Sequence, residues 1–173
     1  MVGFVPLVQV LEALCDQCVT HTLSSSELEQ QIADISTDTR TLQTADVFVA
    51  LEGENFDGHK FVDRAIAAGA IAAITRQGAL TGDIPRIEVN DTRVAYQTLG
   101  HWWRQQLGLP VVAITGSVGK TTTKELISAA LGLHGRVHKT RANFNNELGV
   151  PKTLLELSTD HDYAVVEMGM PGP

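Results

Sequence analysis

The stretch VVAITGSVGKTTTKELI, residues 111–127, decides the reading of this chain. Val111 to Ile114 read as a short buried strand, Gly116 and Gly119 follow, and from Lys120 the sequence turns to helix-forming residues. The strict phosphate-loop pattern G-x-x-x-x-G-K-[ST] asks for glycine five places before Gly119, where Ile114 stands. The form present is shorter: Thr115-Gly116-Ser117-Val118-Gly119-Lys120-Thr121. Its setting is nevertheless what anion binding needs. Glycines let the backbone wrap a phosphate, and the N–H groups at the helix start point inward with the positive end of the helix dipole. Lys120 would reach β- and γ-phosphates, and the Thr121 hydroxyl would sit on Mg²⁺. Such a loop points to a nucleotide without fixing a reaction.

Outward from the loop, the sequence alternates strand and helix. The expected order is strand 111–115, helix 120–133, a short run RVHKT, a polar loop RANFNNELG, a helix at 151–157 and a strand YAVVEMG. That alternation implies a parallel α/β sheet. Glu167, at the end of a buried parallel strand and followed by Met168-Gly169, would lie at the carboxyl edge of the sheet beside the phosphate loop. It is a candidate Mg²⁺ partner or a plain strand-end glutamate. The loop RANFNNELG should emerge at the same edge, where its three asparagines serve either as turn formers or as uncharged contacts to phosphates and substrate carboxylates.

Before residue 108 the pattern is α/β of a smaller kind. Residues 7–19 read as an amphipathic helix and THTLSSSELEQQ as a loop or short capped turn. ADIS, DVFVAL and RIEV have strand character, and KFVDRAIAAG is a helix stopped at Gly69. Asp91 is placed to cap a long helix, TRVAYQTLGHWWRQQL, whose tryptophans read as core or interface residues. The break Gly108-Leu109-Pro110 marks the expected domain boundary, giving domains of residues 1–108 and 109–173.

Charge and composition narrow the function. The 173 residues carry 13 Lys plus Arg against 20 Asp plus Glu, a net charge of −7, with no lysine or arginine before Arg40. Nucleic-acid binding through a basic surface is thereby disfavoured. The opening MVGFVPLVQVLEALC has no positive leader region, and Glu12 interrupts its apolar run, so a cytoplasmic protein with no membrane insertion is expected. Cys15 and Cys18, with His21 nearby, lack a fourth zinc ligand and a thioredoxin-like setting; helical spacing reads them as thiols buried along an apolar face. No obligate protein partner is evident.

TGSVGKTTTKE, TRANFNNELGVPKTLL and YAVVEMGM, in this order, resemble the central domain of the Mur ligases. ISTDTRTLQTADVFVALEGENFDGHKFVDRAIAAGAIAAI resembles the amino-terminal, UDP-binding domain of the same family, in the branch that uses a dipeptide as the incoming amine. The resemblance implies a fold of a small mixed α/β UDP-binding domain followed by the first part of a parallel-sheet ATP-binding domain. It also implies an ADP-forming amide ligase of peptidoglycan synthesis. ATP phosphorylates the terminal carboxylate of UDP-N-acetylmuramoyl-tripeptide, and the amine of D-alanyl-D-alanine attacks the acyl phosphate.

Carried over by position, the resemblance makes Gly116, Ser117, Val118, Gly119, Lys120, Thr121 and Thr122 the ATP loop, with Thr121 and Glu167 on magnesium. Thr140, Asn143, Asn145 and Asn146 would line the junction of γ-phosphate and muramoyl substrate. Ser36, Asp38 and Arg40, with Asp57 and His59 of the GENFDGH loop, would face the UDP-sugar, although His59 serves equally as a pin for its own loop. The family has three domains, so this sequence reads as an amino-terminal portion, inactive in catalysis by itself. Two other readings stay open: a related ligase using another amine, and a non-catalytic UDP-sugar or nucleotide-binding module.

Overall fold

The computed structural model describes residues 5–53 and 56–169. The chain divides into two compact units, Met1–Leu99 and Gly100–Pro173. In chain order the first holds β1 (Val5–Pro6), α1 (Leu7–Ala13), β2 (Cys18–His21), α2 (Ser25–Leu28), β3 (Gln31–Ile32), β4 (Ile35–Ser36), β5 (Val47–Val49), β6 (Glu52–Gly53), β7 (Phe56–Asp57), a 3-10 turn (Gly58–Phe61), α3 (Val62–Ala67), β8 (Ala72–Arg76) and β9 (Arg86–Val89). Helix α4 (Thr92–Leu107) carries the chain into the second unit, which continues with β10 (Val111–Ile114), α5 (Lys120–Leu131), β11 (Val137–Lys139), α6 (Gly149–Leu155) and β12 (Tyr163–Glu167).

The first unit is built on a five-stranded sheet of order β2-β9-β8-β5-β4. β4, β5, β8 and β9 run parallel, and β2 closes one edge antiparallel to β9. Val47–Val49 and Ala72–Ile74 are buried throughout, as parallel strands covered on both faces must be. Val62 and Ala65 of α3 pack with Phe48, Ala50 and Ala73 into a core that Phe61 and Ile66 flank.

Two expectations fail at the amino end. The helix stops at Ala13 rather than running to residue 19, and Cys18 opens β2. The run Val19-Thr20-His21-Thr22 explains this, since β-branched residues suit an edge strand better than a helix. The thiols are correspondingly not buried on a helix: Cys15 is exposed and Cys18 half-buried. The polar stretch after it holds a short capped helix, in which the Ser24 side chain receives the Glu27 N–H and Glu27 reaches back to the Ser24 N–H.

The second unit has a three-stranded parallel sheet, β10-β12-β11, with β12 central. Ala164, Val165 and Val166 are therefore fully buried, whereas on the edge strand β10 Val111 and Val112 are only half-buried and Ala113 is exposed. The two units separate within α4, between Leu99 and Gly100, rather than at the Gly108–Pro110 break. The carboxyl half of α4 belongs to the second unit through its packing. Trp103 is buried and its indole N–H donates to the Leu157 carbonyl at 2.9 Å, while Gly100 lies against Pro151 so closely that a Cβ would meet its Cα at 2.9 Å.

Candidate functional site

Three parallel strands of the second unit deliver their following residues to one edge. β10 leads into Thr115–Gly119, β11 into Thr140–Asn146, and β12 ends at Glu167, which pairs in register with Ile114. Carboxyl edges of parallel sheets are where such folds bind ligands, because the loops there leave the sheet free to diverge. The Thr115–Gly119 loop takes the form its glycines allow: Gly116 has φ +143° and Gly119 φ +78°, both in the region side chains avoid. Gly119 caps α5, so the helix starts at Lys120 with its first N–H groups facing the loop. Lys120 Nζ donates to the Gly116 carbonyl at 2.7 Å, which folds the ammonium back over its own loop. Val118 stands at the tip, 88% exposed.

Glu167 gathers the neighbouring groups. Its side chain is 4% exposed. The Thr121 hydroxyl donates to Oε2 at 3.2 Å and the Asn145 amide to Oε1 at 2.8 Å, while the Glu167 N–H donates to the Thr140 hydroxyl at 2.9 Å. Lys124 Nζ lies 3.5 Å from Oε2. Burial alone would push this carboxyl up; the hydrogen bonds from Asn145 and Thr121 and the Lys124 charge outweigh it and hold the group below the usual carboxylate range. Glu167 is thus a buried, ionised carboxylate, bonded by Thr121 at the start of α5.

The asparagine loop divides its labour. Asn145 bonds Glu167 and accepts the Gly169 N–H on its carbonyl at 2.6 Å, tying the loop to the end of β12. The side chain of Asn146 turns away and receives the N–H groups of Leu148 and Gly149 at 3.3 and 2.8 Å, which starts α6. Asn143 is exposed, and Thr140, 1% exposed, is spent on the Glu167 backbone. Ala142 holds φ +47°, a strained conformation for a residue with a Cβ. Gly149 permits a tight approach here: a Cβ on it would meet the Phe144 backbone at 2.4 Å. Lys124 was not legible as a site residue. It sits four places after Lys120 on the sheet-facing stripe of α5, where periodicity leads one to expect an apolar side chain.

In the first unit, the predicted residues again follow the parallel strands. Ser36 ends β4, and its hydroxyl and the Asp38 backbone exchange bonds of 3.3 Å. Arg40 turns back on Asp38, with Nε and Nη2 at 2.9 and 2.6 Å from the two carboxylate oxygens. His59 is buried, and both ring nitrogens are engaged: Nδ1 is 2.7 Å from Asp57 Oδ1, and Nε2 accepts the Arg76 N–H at 2.9 Å. The ring therefore carries its proton on Nδ1 and ties the 57–59 turn to the end of β8. Of the GENFDGH loop, Glu54 and Asn55 lie outside the described residues. Beyond it, a cleft of about 400 Å³ lies among Glu52, Arg76, Asn90 and Arg93.

Comparison with known proteins accounts for both units. Residues 31–104 match the profile described as Mur ligase family, catalytic domain, and residues 114–173 that of the Mur ligase middle domain. The UDP-N-acetylmuramoyl-tripeptide--D-alanyl-D-alanine ligase of Synechocystis sp. is 52% identical over 94% of this chain and 36% of its own length. A crystal structure of MurF from Acinetobacter baumannii superposes with a TM-score of 0.85 at 39% identity, over 96% of this chain and 36% of that one. The MurF ligase of Thermotoga maritima in complex with ADP does so with a TM-score of 0.69 at 35% identity, over 81% and 33%. The chain spans about a third of the length of the relatives it matches. Two profiles of one family, matched in succession along the sequence, establish that the chain belongs to the Mur ligase family.

Proposed function

We propose that this chain supplies the UDP-sugar-binding and nucleotide-phosphate-binding parts of an ATP-dependent ligase of cytoplasmic peptidoglycan synthesis. The ligase joins D-alanyl-D-alanine to UDP-N-acetylmuramoyl-tripeptide and releases ADP and phosphate. The observation that carries the reading is the shared edge at which the Thr115–Thr121 loop, Glu167 and Asn145 meet. The chain's likeness to relatives named for that activity supports these substrates.

The chemistry asks for little covalent work from the protein. A carboxylate does not acylate an amine until an oxygen is made a leaving group, and phosphorylation by ATP achieves this. The burden is then electrostatic: several negative oxygens must be held together. Backbone N–H groups at the start of α5 and Lys120 would do this on the nucleotide side, with Lys120 leaving the Gly116 carbonyl for the β- and γ-phosphates. Gly116 to Thr122 form the cradle.

Thr121 and Glu167 present hard oxygen donors 3.2 Å apart, a set suited to Mg²⁺. Among the described residues no group of three or more His, Cys, Asp or Glu could hold a metal, so phosphate and water would complete the coordination. When bound, Mg²⁺ neutralises charge on the transferring phosphoryl group. Asn145 fixes the free rotation of Glu167, and Asn143, exposed beside it, is left to contact substrate. Thr140 and Asn146 hold the scaffold of that loop. In the first unit Ser36, Asp38, Arg40 and Asp57 would face the UDP-sugar, with His59 fixing the Asp57 turn.

The test is isothermal titration of UDP-muramoyl-tripeptide and, separately, of Mg·ATP into the folded chain. Binding of both ligands is expected. Failure of the folded chain to bind either one would sink the reading.

A further inference from the structure

We propose that Lys124 is a resident counterion for Glu167, a buried ammonium that pairs with the carboxylate and holds it in place until a nucleotide delivers the divalent cation. The proposal rests on the reading of Glu167 as a metal ligand given above, and it makes Lys124 a positioning residue.

The geometry points to one partner. Lys124 Nζ is 3.5 Å from Glu167 Oε2, with the two side chains 3% and 4% exposed. Lysines are almost never buried to this degree unless paired. Among the described residues, the other acid within reach, Glu125, has Oε1 at 3.9 Å, is 52% exposed, and is itself bridged to Lys139. Glu167 is thus the group that Lys124 neutralises out of reach of solvent. Without it, a buried carboxylate would be left with one hydroxyl and one amide donor from Thr121 and Asn145.

Helix α5 couples the two lysines. Lys120 stands at its first residue, folded over the phosphate loop, and Lys124 follows one turn later, aimed at the carboxylate. In the nucleotide-free protein the Glu167 pocket is already charge-balanced, so a free divalent cation meets an ammonium as it approaches its carboxylate. Incoming phosphates add negative charge on the Lys120 side and tip the balance towards the metal. The expected order is therefore metal with nucleotide, and a low affinity for metal alone.

The test uses Lys124→Met, the double variant Lys124→Met/Glu167→Gln, and the native chain, all without nucleotide. Thermal unfolding is followed in EDTA and with Mn²⁺, and Mn²⁺ affinity is read by electron paramagnetic resonance. Lys124→Met should melt below the native chain in EDTA, recover when Mn²⁺ is added, and bind Mn²⁺ about tenfold or more tightly than the native chain does. The double variant should melt close to native and show no Mn²⁺ response. Native-like Mn²⁺ affinity in Lys124→Met would overturn the proposal. So would a double variant that melts as low as the single one, because Lys124 would then matter for packing and not for charge. Should Lys124→Met fail to fold in EDTA, the double variant decides between the same two outcomes. ADP titrated into the native chain with and without Mg²⁺ tests the nucleotide reading separately: no binding there, beside an intact Mn²⁺ response in Lys124→Met, counts against that reading alone.

Discussion

Gly149→Ala should damage the site without touching a residue that meets substrate. A Cβ at this position would lie 2.4 Å from the Phe144 carbonyl carbon, 2.5 Å from its Cα and 2.7 Å from its oxygen. Ordinary contacts between heavy atoms are about 3.5–4.0 Å, so the two backbones must part by roughly 1 Å. Helix α6 cannot supply that movement by retreating, because Pro151 is already pressed against Gly100 of α4. The loop must yield instead, and with it Asn145, whose amide is 2.8 Å from Glu167. Overpacking of this kind costs about 1–3 kcal/mol, and a hydrogen bond to a charged group about 1.5–3 kcal/mol more if it breaks. For a unit of this size each kcal/mol lowers the melting temperature by about 4–8 °C, so a fall of roughly 10 °C or more is expected. Circular dichroism melts of the variant provide the measurement. Gly132→Ala, at a helix end with φ −62°, is the control and should change stability by less than about 1 kcal/mol. A Gly149→Ala protein melting within about 2 °C of native would refute the close approach and the coupling drawn from it.

Three further outcomes follow from the same contacts. His138 is buried, and desolvation, aided by His161, pushes its pKa down to about 4 from 6.5. Between those values the unfolded chain takes up a proton that the folded chain refuses, so stability complete at pH 7 should fall by up to about 3 kcal/mol as the pH drops towards 4, and His138→Gln should flatten that slope in urea titrations. Arg86 and Glu88 form a buried pair with Nε 2.8 Å from Oε1, so Arg86→Met should cost about 3–5 kcal/mol, and Arg86→Met/Glu88→Leu should recover most of it in the same assay. Asn146→Ala removes the acceptor that starts α6 and should cost about 1 kcal/mol while leaving nucleotide affinity unchanged; a loss of affinity would assign Asn146 to the ligand after all.

The second unit was legible in the sequence because its signals reinforce one another. Val111–Ile114, two glycines, a lysine and a helix specify the loop locally, and Tyr163–Glu167 is apolar enough to be read as a buried parallel strand; that it lies at the centre of the sheet needed the fold. What stayed hidden depends on contacts between residues distant in sequence. That Lys124 reaches Glu167, and that Asn145 and Asn146 point in opposite directions, follows from packing that no periodicity encodes. The amino end misled for a local reason: Leu7, Leu11 and Leu14 promise a longer helix, yet the β-branched run after Cys18 gains more by extending the sheet beside β9. The sequence reads both tryptophans as core or interface residues; Trp103 is buried and Trp102 half-buried, and the Trp103 bond to Leu157, which draws the end of α4 into the second unit, needed the fold.

The Thr115–Thr121 loop, with Lys120 at its end, is read as holding the phosphates of a nucleotide. Isothermal titration of Mg·ATP into the native chain and into Lys120→Ala tests it most directly. The account predicts saturable binding by the native chain and a loss of tenfold or more, about 1.4 kcal/mol, in the variant. Equal affinities in two well-folded proteins would contradict it.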